Sequence, residues 1–288
     1  MRKITKAICL SLVMTYPAFD SAKAQTASSL FRTDDSVQVA EIVSESGDEF
    51  ETTGHNGPAV ENSHFALRIF FNSSGAVDVY SKSGRGPELR SYKWYPTSEQ
   101  KESAGAGRDN YQVNNTLGLG GIALWDGSKA IPLEVTKGRV ARAGDTKSGS
   151  FIEMVSQGVP YKEEFVDISF RIETSSKSRD AVITVKELSK KKVQFVTGVN
   201  FHPGETVKCA TGYIFTWGVH PTGTEGENVP VGAGLFYSQS QFGPMEVTSD
   251  MVRIISVPTS QISYKVVAAS TLEAELNNLK RFESYMTK

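Results

Sequence analysis

Cysteine is almost missing from this chain. Of the two present, Cys9 lies in a segment that reads as a removable leader, which leaves Cys209 alone and excludes an internal disulfide in the mature protein. Long apolar runs are missing too: Ala7 to Tyr16 is too short for a membrane span of about 20 residues, and no later segment is apolar enough to serve as an anchor. There is no surplus of positive charge. The 31 Lys and Arg face 32 Asp and Glu; removing the leader takes four of the former (Arg2, Lys3, Lys6, Lys23) and one of the latter (Asp20), leaving 27 against 31 and a net charge of −4. Such a balance does not attract a phosphate backbone, so nucleic acid is not an expected partner. Several enzyme classes are closed by missing signatures: there is no Walker-type glycine loop, no HExxH, no paired CxxC and no GxSxG. Without staples, stability must come from a hydrophobic core, which 288 residues can build.

What is present begins with export. Arg2, Lys3 and Lys6 make a basic start, Ala7 to Tyr16 an apolar stretch, and Ala22-Lys23-Ala24 a small-residue cleavage site, so residues 1–24 read as a signal peptide cut before Gln25. The expected product is soluble, without a membrane span, and periplasmic or secreted. Residues 25–36, rich in Ser, Thr, Ala and Asp, read as a flexible arm, and residues 37–288 as one β-sandwich domain. Short β-prone runs recur between Gly, Pro, Asn and Ser: Val37 to Val43, Phe65 to Phe71, Ala76 to Lys82, Phe151 to Val155, Phe165 to Glu173, Asp180 to Leu188, Val193 to Phe201, Tyr213 to Val219, Leu235 to Gln239, Val252 to Val257 and Ser263 to Ala269. So many strands with so little helical pattern predict an all-β fold, a large two-sheet antiparallel β-sandwich. One closing helix is predicted where Leu272, Leu276, Leu279 and Phe282 recur at helical spacing behind Ser270 or Thr271 as cap. Glu45 to Gly57 reads as a loop and Lys190 to Lys192 as a solvated hairpin turn. Gly118-Leu119-Gly120-Gly121 reads as a bend between strands and not a nucleotide loop, because it does not open a helix.

The most informative pair of motifs is Asn200-Phe201-His202-Pro203 with Trp217-Gly218-Val219-His220-Pro221. Each histidine closes a strand just before a proline, and strand ends are where rigid scaffolds display functional groups. Taken singly, either imidazole is better explained by a hydrogen bond to loop backbone; two at strand ends favour acid, base or ligand roles. A metal lacks an evident third ligand. Asn62, His64 and Arg68 lead into the strand Phe65 to Phe71, with His64 and Arg68 expected on the face away from Phe65, Leu67, Ile69 and Phe71, where a cation beside an imidazole suits an anionic substrate. Tyr92, Trp94 and Tyr95 precede Pro96, and Arg108-Asp109-Asn110-Tyr111 follows a glycine-rich turn; aromatic faces beside amides and charges suit sugar rings, although core packing is the commoner role of aromatics in a β protein and an Arg-Asp pair in a loop is often structural. Tyr161 is a further acid or base candidate.

The runs Asn62 to Lys82 (NSHFALRIFFNSSGAVDVYSK), Gly107 to Gly127 (GRDNYQVNNTLGLGGIALWDG) and Gly198 to His220 resemble the DUF4861 family of polysaccharide-degrading bacteria, over roughly Val37 to Tyr285. The resemblance implies an exported β-sandwich of the galactose mutarotase-like kind, and among its relatives enzymes that eliminate water from terminal uronic acids of algal oligosaccharides such as those of ulvan. The loop Gly105 to Asp109 (GAGRD) matches only part of the Trp-Gly-x-Asp pattern expected there.

Together these features lead to an expected carbon–oxygen lyase, an oligosaccharide dehydratase or polysaccharide lyase acting by β-elimination on a terminal uronate. Such chemistry needs a base for the proton α to the carboxylate, a cation or donor for that carboxylate, and an acid for the leaving oxygen. His202, His220 and Tyr161 are expected as base and acid and Arg108 or Arg68 as the cation. Trp94, Trp217 and Asn62, with His64 and Asp109, are expected to hold the sugar. The partner is then an oligosaccharide containing uronic acid. No cofactor is expected, and whether a structural Ca²⁺ binds is not readable from the sequence. Two other classes fit the same residues: a non-catalytic glycan-binding accessory module, whose aromatics would form a flat exposed platform, and an epimerase or mutarotase-like sugar enzyme.

Overall fold

The computed structural model describes residues 25–84, 86–221 and 228–288. The leader segment lies outside the described residues. The N-terminal third contributes β1 (Ala27–Ser29), β2 (Glu41–Ser44), β3 (Ala59–Glu61), β4 (Phe65–Ile69) and β5 (Val77–Ser81). Two short helices, α1 (Leu89–Tyr92) and α2 (Ser98–Ser103), are followed by β6 (Ala123–Trp125), β7 (Ala130–Ile131), β8 (Gly138–Asp145), β9 (Gly149–Tyr161), β10 (Glu164–Ser175) and β11 (Ser178–Glu187). The rest is β12 (Phe195–Asn200), β13 (Thr206–Ala210), β14 (Tyr213–Gly218), β15 (Val231–Phe236), β16 (Phe242–Val247), β17 (Met251–Ser256), β18 (Gln261–Ser270) and α3 (Leu279–Met286).

These strands form three antiparallel sheets: one of nine strands in the order β13-β14-β15-β18-β11-β10-β9-β8-β2, one of five, β16-β17-β12-β6-β7, and one of four, β1-β3-β4-β5. The long strands show why. In β10, Val166, Ile168, Phe170 and Ile172 point into the core while Arg171 and Glu173 pair on the outside. Each such fully buried side chain contributes about 1.5–3 kcal/mol. One core cluster draws on all three sheets, with Leu67 and Val79 from the four-stranded, Val199 and Ile254 from the five-stranded, and Phe170 and Val266 from the nine-stranded sheet. Both smaller sheets contact strands of the large one, giving a sandwich-like all-β fold in which one layer is split in two.

The split layer is stitched by the glycine run. Val77 donates to the Leu117 carbonyl (3.0 Å) and Leu119 donates back to Val77 (3.1 Å), on the edge of the four-stranded sheet. Gly120 then donates to Gly198 (2.8 Å) on β12 of the five-stranded sheet. Glycine is required at two points. Gly118 has φ +66° and a Cβ there would lie 2.0 Å from the Val77 oxygen; at Gly121 a Cβ would lie 2.1 Å from the Leu117 oxygen. The run is a bend between strands, as its sequence predicts.

Most predicted strands are found, several with different ends. Four expectations fail. Residues 25–36 are tied down, because β1 pairs with β3 and Leu30 and Phe31 are buried; the polar composition hid two adjacent apolar residues that enter the core. Lys190 to Lys192 is not a hairpin turn, since it connects β11 of the nine-stranded sheet to β12 of the five-stranded one. The closing helix begins at Leu279, capped by Asn278, whose side chain accepts from Arg281 (3.0 Å). It does not begin at Ser270, because Glu273 is drawn into a salt bridge with Arg179. Finally, the Arg68 face of β4 is not open to solvent: β4 and β5 are buried on both sides, with Ala66, Tyr80, Leu89 and Trp94 forming a second small core there.

The stitch generates a stability prediction. Gly118→Ala and Gly121→Ala are each expected to cost about 2 kcal/mol or more by urea denaturation. Unchanged midpoints would mean that the two half-layers are held together elsewhere.

Candidate active site

β12 and β14 both run out into His-Pro. Proline has no N–H to donate to a ladder, so each strand ends there and leaves its histidine at the sheet margin. The imidazoles of His202 and His220 meet edge to face with centroids 4.5 Å apart, and the Tyr111 ring lies 4.3 Å from His220. His202 is 8% exposed and His220 1%.

The backbone of one residue, Gln112, sets the state of both rings. The Gln112 N–H donates to His220 Nδ1 at 2.9 Å. Nδ1 therefore carries a lone pair, and the proton of the neutral ring sits on Nε2. The Gln112 carbonyl is also 3.3 Å from Nδ1, but the shorter contact decides the tautomer. That same carbonyl accepts from Asn200 Nδ2 (2.8 Å) and faces His202 Nε2 (2.8 Å). A carbonyl only accepts, so Nε2 of His202 carries a proton, and in the neutral ring the lone pair is on Nδ1. Among the described residues only Nε2 of His202 is engaged. Burial, with His202 adding to it, pushes His220 down to about 3. His220 is thus a neutral ring with both nitrogens facing protein groups, and it orients its neighbours.

The third member is Glu205, just beyond the turn that follows Pro203. Its Oε1 lies 3.1 Å from His220 Nε2, and both side chains are almost wholly buried. The contact is poorly aligned: neither Glu205 oxygen nor His220 Nε2 has a well-directed hydrogen bond among the described residues. Burial pushes the Glu205 carboxyl up to about 7. Tyr111 OH, Asn110 Oδ1 and Asn200 Oδ1, on residues of the same neighbourhood, are likewise buried without a partner among the described residues. Unsatisfied polar atoms are rare in folded proteins, and six of them here mark a place built to meet a polar group.

Arg68 forms the other end of this polar seam. Nε and Nη2 both reach Asp78 Oδ2 (2.9 and 2.6 Å), and Nη1 donates to His55 O, Asn56 Oδ1 and the Tyr95 hydroxyl. The guanidinium stacks on Trp94, 4.3 Å from its centroid, with Phe70 and Tyr95 also close. Burial raises the Asp78 carboxyl and Arg68 opposes that shift. Asp109 approaches Arg68 at 3.7 Å and remains part-exposed. From Asp109 to Gln112 is three residues, about 10 Å of extended chain, so one segment joins the arginine to the imidazoles.

The expected site residues thus separate. His202 and His220 come together, and Arg68 meets Asp109. Arg68, however, is fully engaged and cannot take a substrate carboxylate. Arg108, half-buried, exchanges backbone hydrogen bonds with Ser81 (2.9 and 2.8 Å) at the head of the seam. Asn62 is structural: its Oδ1 accepts from His64 and Phe65 and its Nδ2 donates to Arg179 O. His64 sits with Arg179 (2.9 Å) and Glu273, not with Arg68. Trp94 is fully buried under Arg68, and Trp217 packs on Phe282 of α3. Tyr161 donates to Trp125 O and accepts from Gln194, at the end of β12 opposite His202.

Sequence reasoning missed Glu205 and Asp78, and His55, which burial holds down near 3. For Glu205 a signal existed, an acid three residues after a strand-end histidine; for Gln112 there was none, because its contribution is its backbone. Among the described residues no group of three or more His, Cys, Asp or Glu is arranged to hold a metal ion, and no helix is long and apolar enough to cross a membrane.

The buried acid gives a signed pH dependence. Glu205 ionises near the ordinary 4.5 when unfolded and near 7 when folded. Between those values the unfolded chain gives up the proton first, so this residue's effect is a loss of stability as pH rises. Glu205→Gln is expected to remove that loss, matching the parent near pH 4 and exceeding it in denaturation free energy near pH 8. Parallel stability curves for the two proteins would contradict a buried, protonated Glu205.

Comparison with known proteins adds a family. No curated protein matches the chain. Among solved structures it is similar to the 4-alpha-glucanotransferase of Thermococcus litoralis, with 10% identity and a TM-score of 0.34 over 74% of this chain and 39% of that one. The chain spans about two fifths of that protein's length, and the likeness is too distant to argue from. The family model described as "Domain of unknown function (DUF4861)" matches residues 11–288, nearly end to end. With an all-β sandwich-like fold behind that match, the chain belongs to the DUF4861 family.

Proposed function

We propose that the protein is an exported, carbohydrate-active carbon–oxygen lyase that performs β-elimination on the terminal uronate of an oligosaccharide. The observation that carries this reading is the Gln112 clamp, whose carbonyl accepts from His202 Nε2–H, so that in the neutral ring the basic lone pair lies on Nδ1. His202 Nδ1 takes the proton α to the carboxylate, the C–H electrons form the new double bond, and the bond to the β oxygen breaks. That oxygen leaves with a proton from the Tyr111 hydroxyl, which burial keeps protonated and which has no partner among the described residues. Tyr111 replaces Tyr161 in this role because Tyr161 lies at the far end of β12. Arg108, at the head of the seam, supplies the positive charge for the carboxylate. Glu205 and His220 are positioning residues. The periplasmic or extracellular address read from the leader belongs to the same proposal.

A glycan-binding platform without chemistry is less well supported, because Trp94 and Trp217, which would have formed it, are both buried. The test is incubation with a panel of uronate oligosaccharides, read by mass. A loss of about 18 Da marks dehydration, whereas chain scission marks a lyase or hydrolase. His202→Asn and Tyr111→Phe are each expected to lower kcat by about 100-fold or more with unchanged melting curves. Undiminished turnover in His202→Asn would remove the proposed base.

A further inference from the structure

A cleft of about 700 Å³ opens on the face of the five-stranded sheet turned away from the core. Its floor is Ala123, Ala130 and Val196, which alternate or pair with the core-facing Leu124, Ile131 and Phe195 along their strands. The walls are amides and hydroxyls: Asn72, Ser73, Asn114, Asn115, Thr116 and Thr248. Phe50 and Phe70, edge to face at 5.2 Å and both half-buried, close one end. This volume is that of a ligand pocket, with room for about two or three sugar rings.

Charge narrows the ligand. Among the described residues the lining holds one cation, Arg253, and its guanidinium is occupied by Glu246 at 2.7 and 2.9 Å. Asp48 and Asp250 also line the cleft. Two carboxylates and no spare positive charge repel a phosphate, a sulfate or a string of uronates. Neutral amides and hydroxyls beside aromatic faces are instead suited to uncharged hydroxyl-rich rings.

Position narrows it further. Asn114 Oδ1 accepts from the Gln112 side chain (3.1 Å), Asp250 O accepts from Phe201 N (2.9 Å), and Met251 pairs with Asn200. The cleft therefore ends one residue away from His202 on two sides. The geometry points to this cleft as the binding site for the neutral sugar units of an oligosaccharide whose acidic terminal unit reaches His202. Its second half rests on the elimination reading above; the neutral-glycan site does not.

The test is a glycan array of neutral and purely acidic oligosaccharides, followed by calorimetric titration of the neutral glycans that bind. It uses the parent protein, Asn115→Ala and Ala130→Trp. Both positions are exposed, the first removing a wall amide and the second filling the floor. Neutral oligosaccharides are expected to bind, the purely acidic ones not to, and the Kd to rise about tenfold or more in each variant. The assignment is overturned if no neutral glycan binds or if both variants bind like the parent. Binding that obeys the cleft variants without turnover of any uronate would sink the elimination reading and leave the cleft standing. Turnover of a long substrate with a KM indifferent to both variants would do the reverse.

Discussion

The site depends on the backbone of a single residue, Gln112. Its N–H lies in the planar peptide shared with Tyr111 and its carbonyl in the planar peptide shared with Val113; the first donates to His220 and the second accepts from His202 and Asn200. A side chain in that place would bring rotamers with it; a peptide does not. Two imidazoles 4.5 Å apart are thereby held in defined tautomers without a carboxylate bonded to either in good geometry.

What fixes the peptide is the chain on either side of it. Upstream, Arg108 is bonded to the edge of β5 and Asp109 sits against the Arg68 guanidinium; downstream, Leu117 to Gly121 sew the four-stranded sheet to the five-stranded one. One irregular segment therefore completes the split layer, borders the amide-lined cleft and presents the site. The architecture carries costs, since Glu205, Tyr111 and the two asparagines leave polar atoms buried without a well-directed hydrogen bond among the described residues. A core shared by three sheets offsets them, the usual division between a stable scaffold and a strained site.

The all-β class was legible because long strands such as β10 and β11 alternate between one buried and one polar face. The pairing of His202 with His220 was legible for a related reason: proline ends a strand, and strands that end at one margin bring their last residues together. Arg68 and Trp94 misled because alternation reports only which face a residue is on, and in β4 the second face is also covered. His64 and Asn62 misled because a turn before a strand uses its polar side chains to cap its own backbone. Tyr161 has the right chemistry at the wrong end of β12. Glu205 and the Gln112 peptide could not be weighed from sequence, since one gains its character from burial and the other has no side-chain signature.

The account is tested most directly by the ring nitrogens themselves, in a long-range proton–nitrogen NMR spectrum of the protein labelled at its four histidines. The neutral rings of His202 and His220 should both be Nε2–H tautomers, and His220 should stay neutral down to about pH 4. A neutral Nδ1–H tautomer of either ring, or a His220 that titrates near the ordinary 6.5, would contradict it.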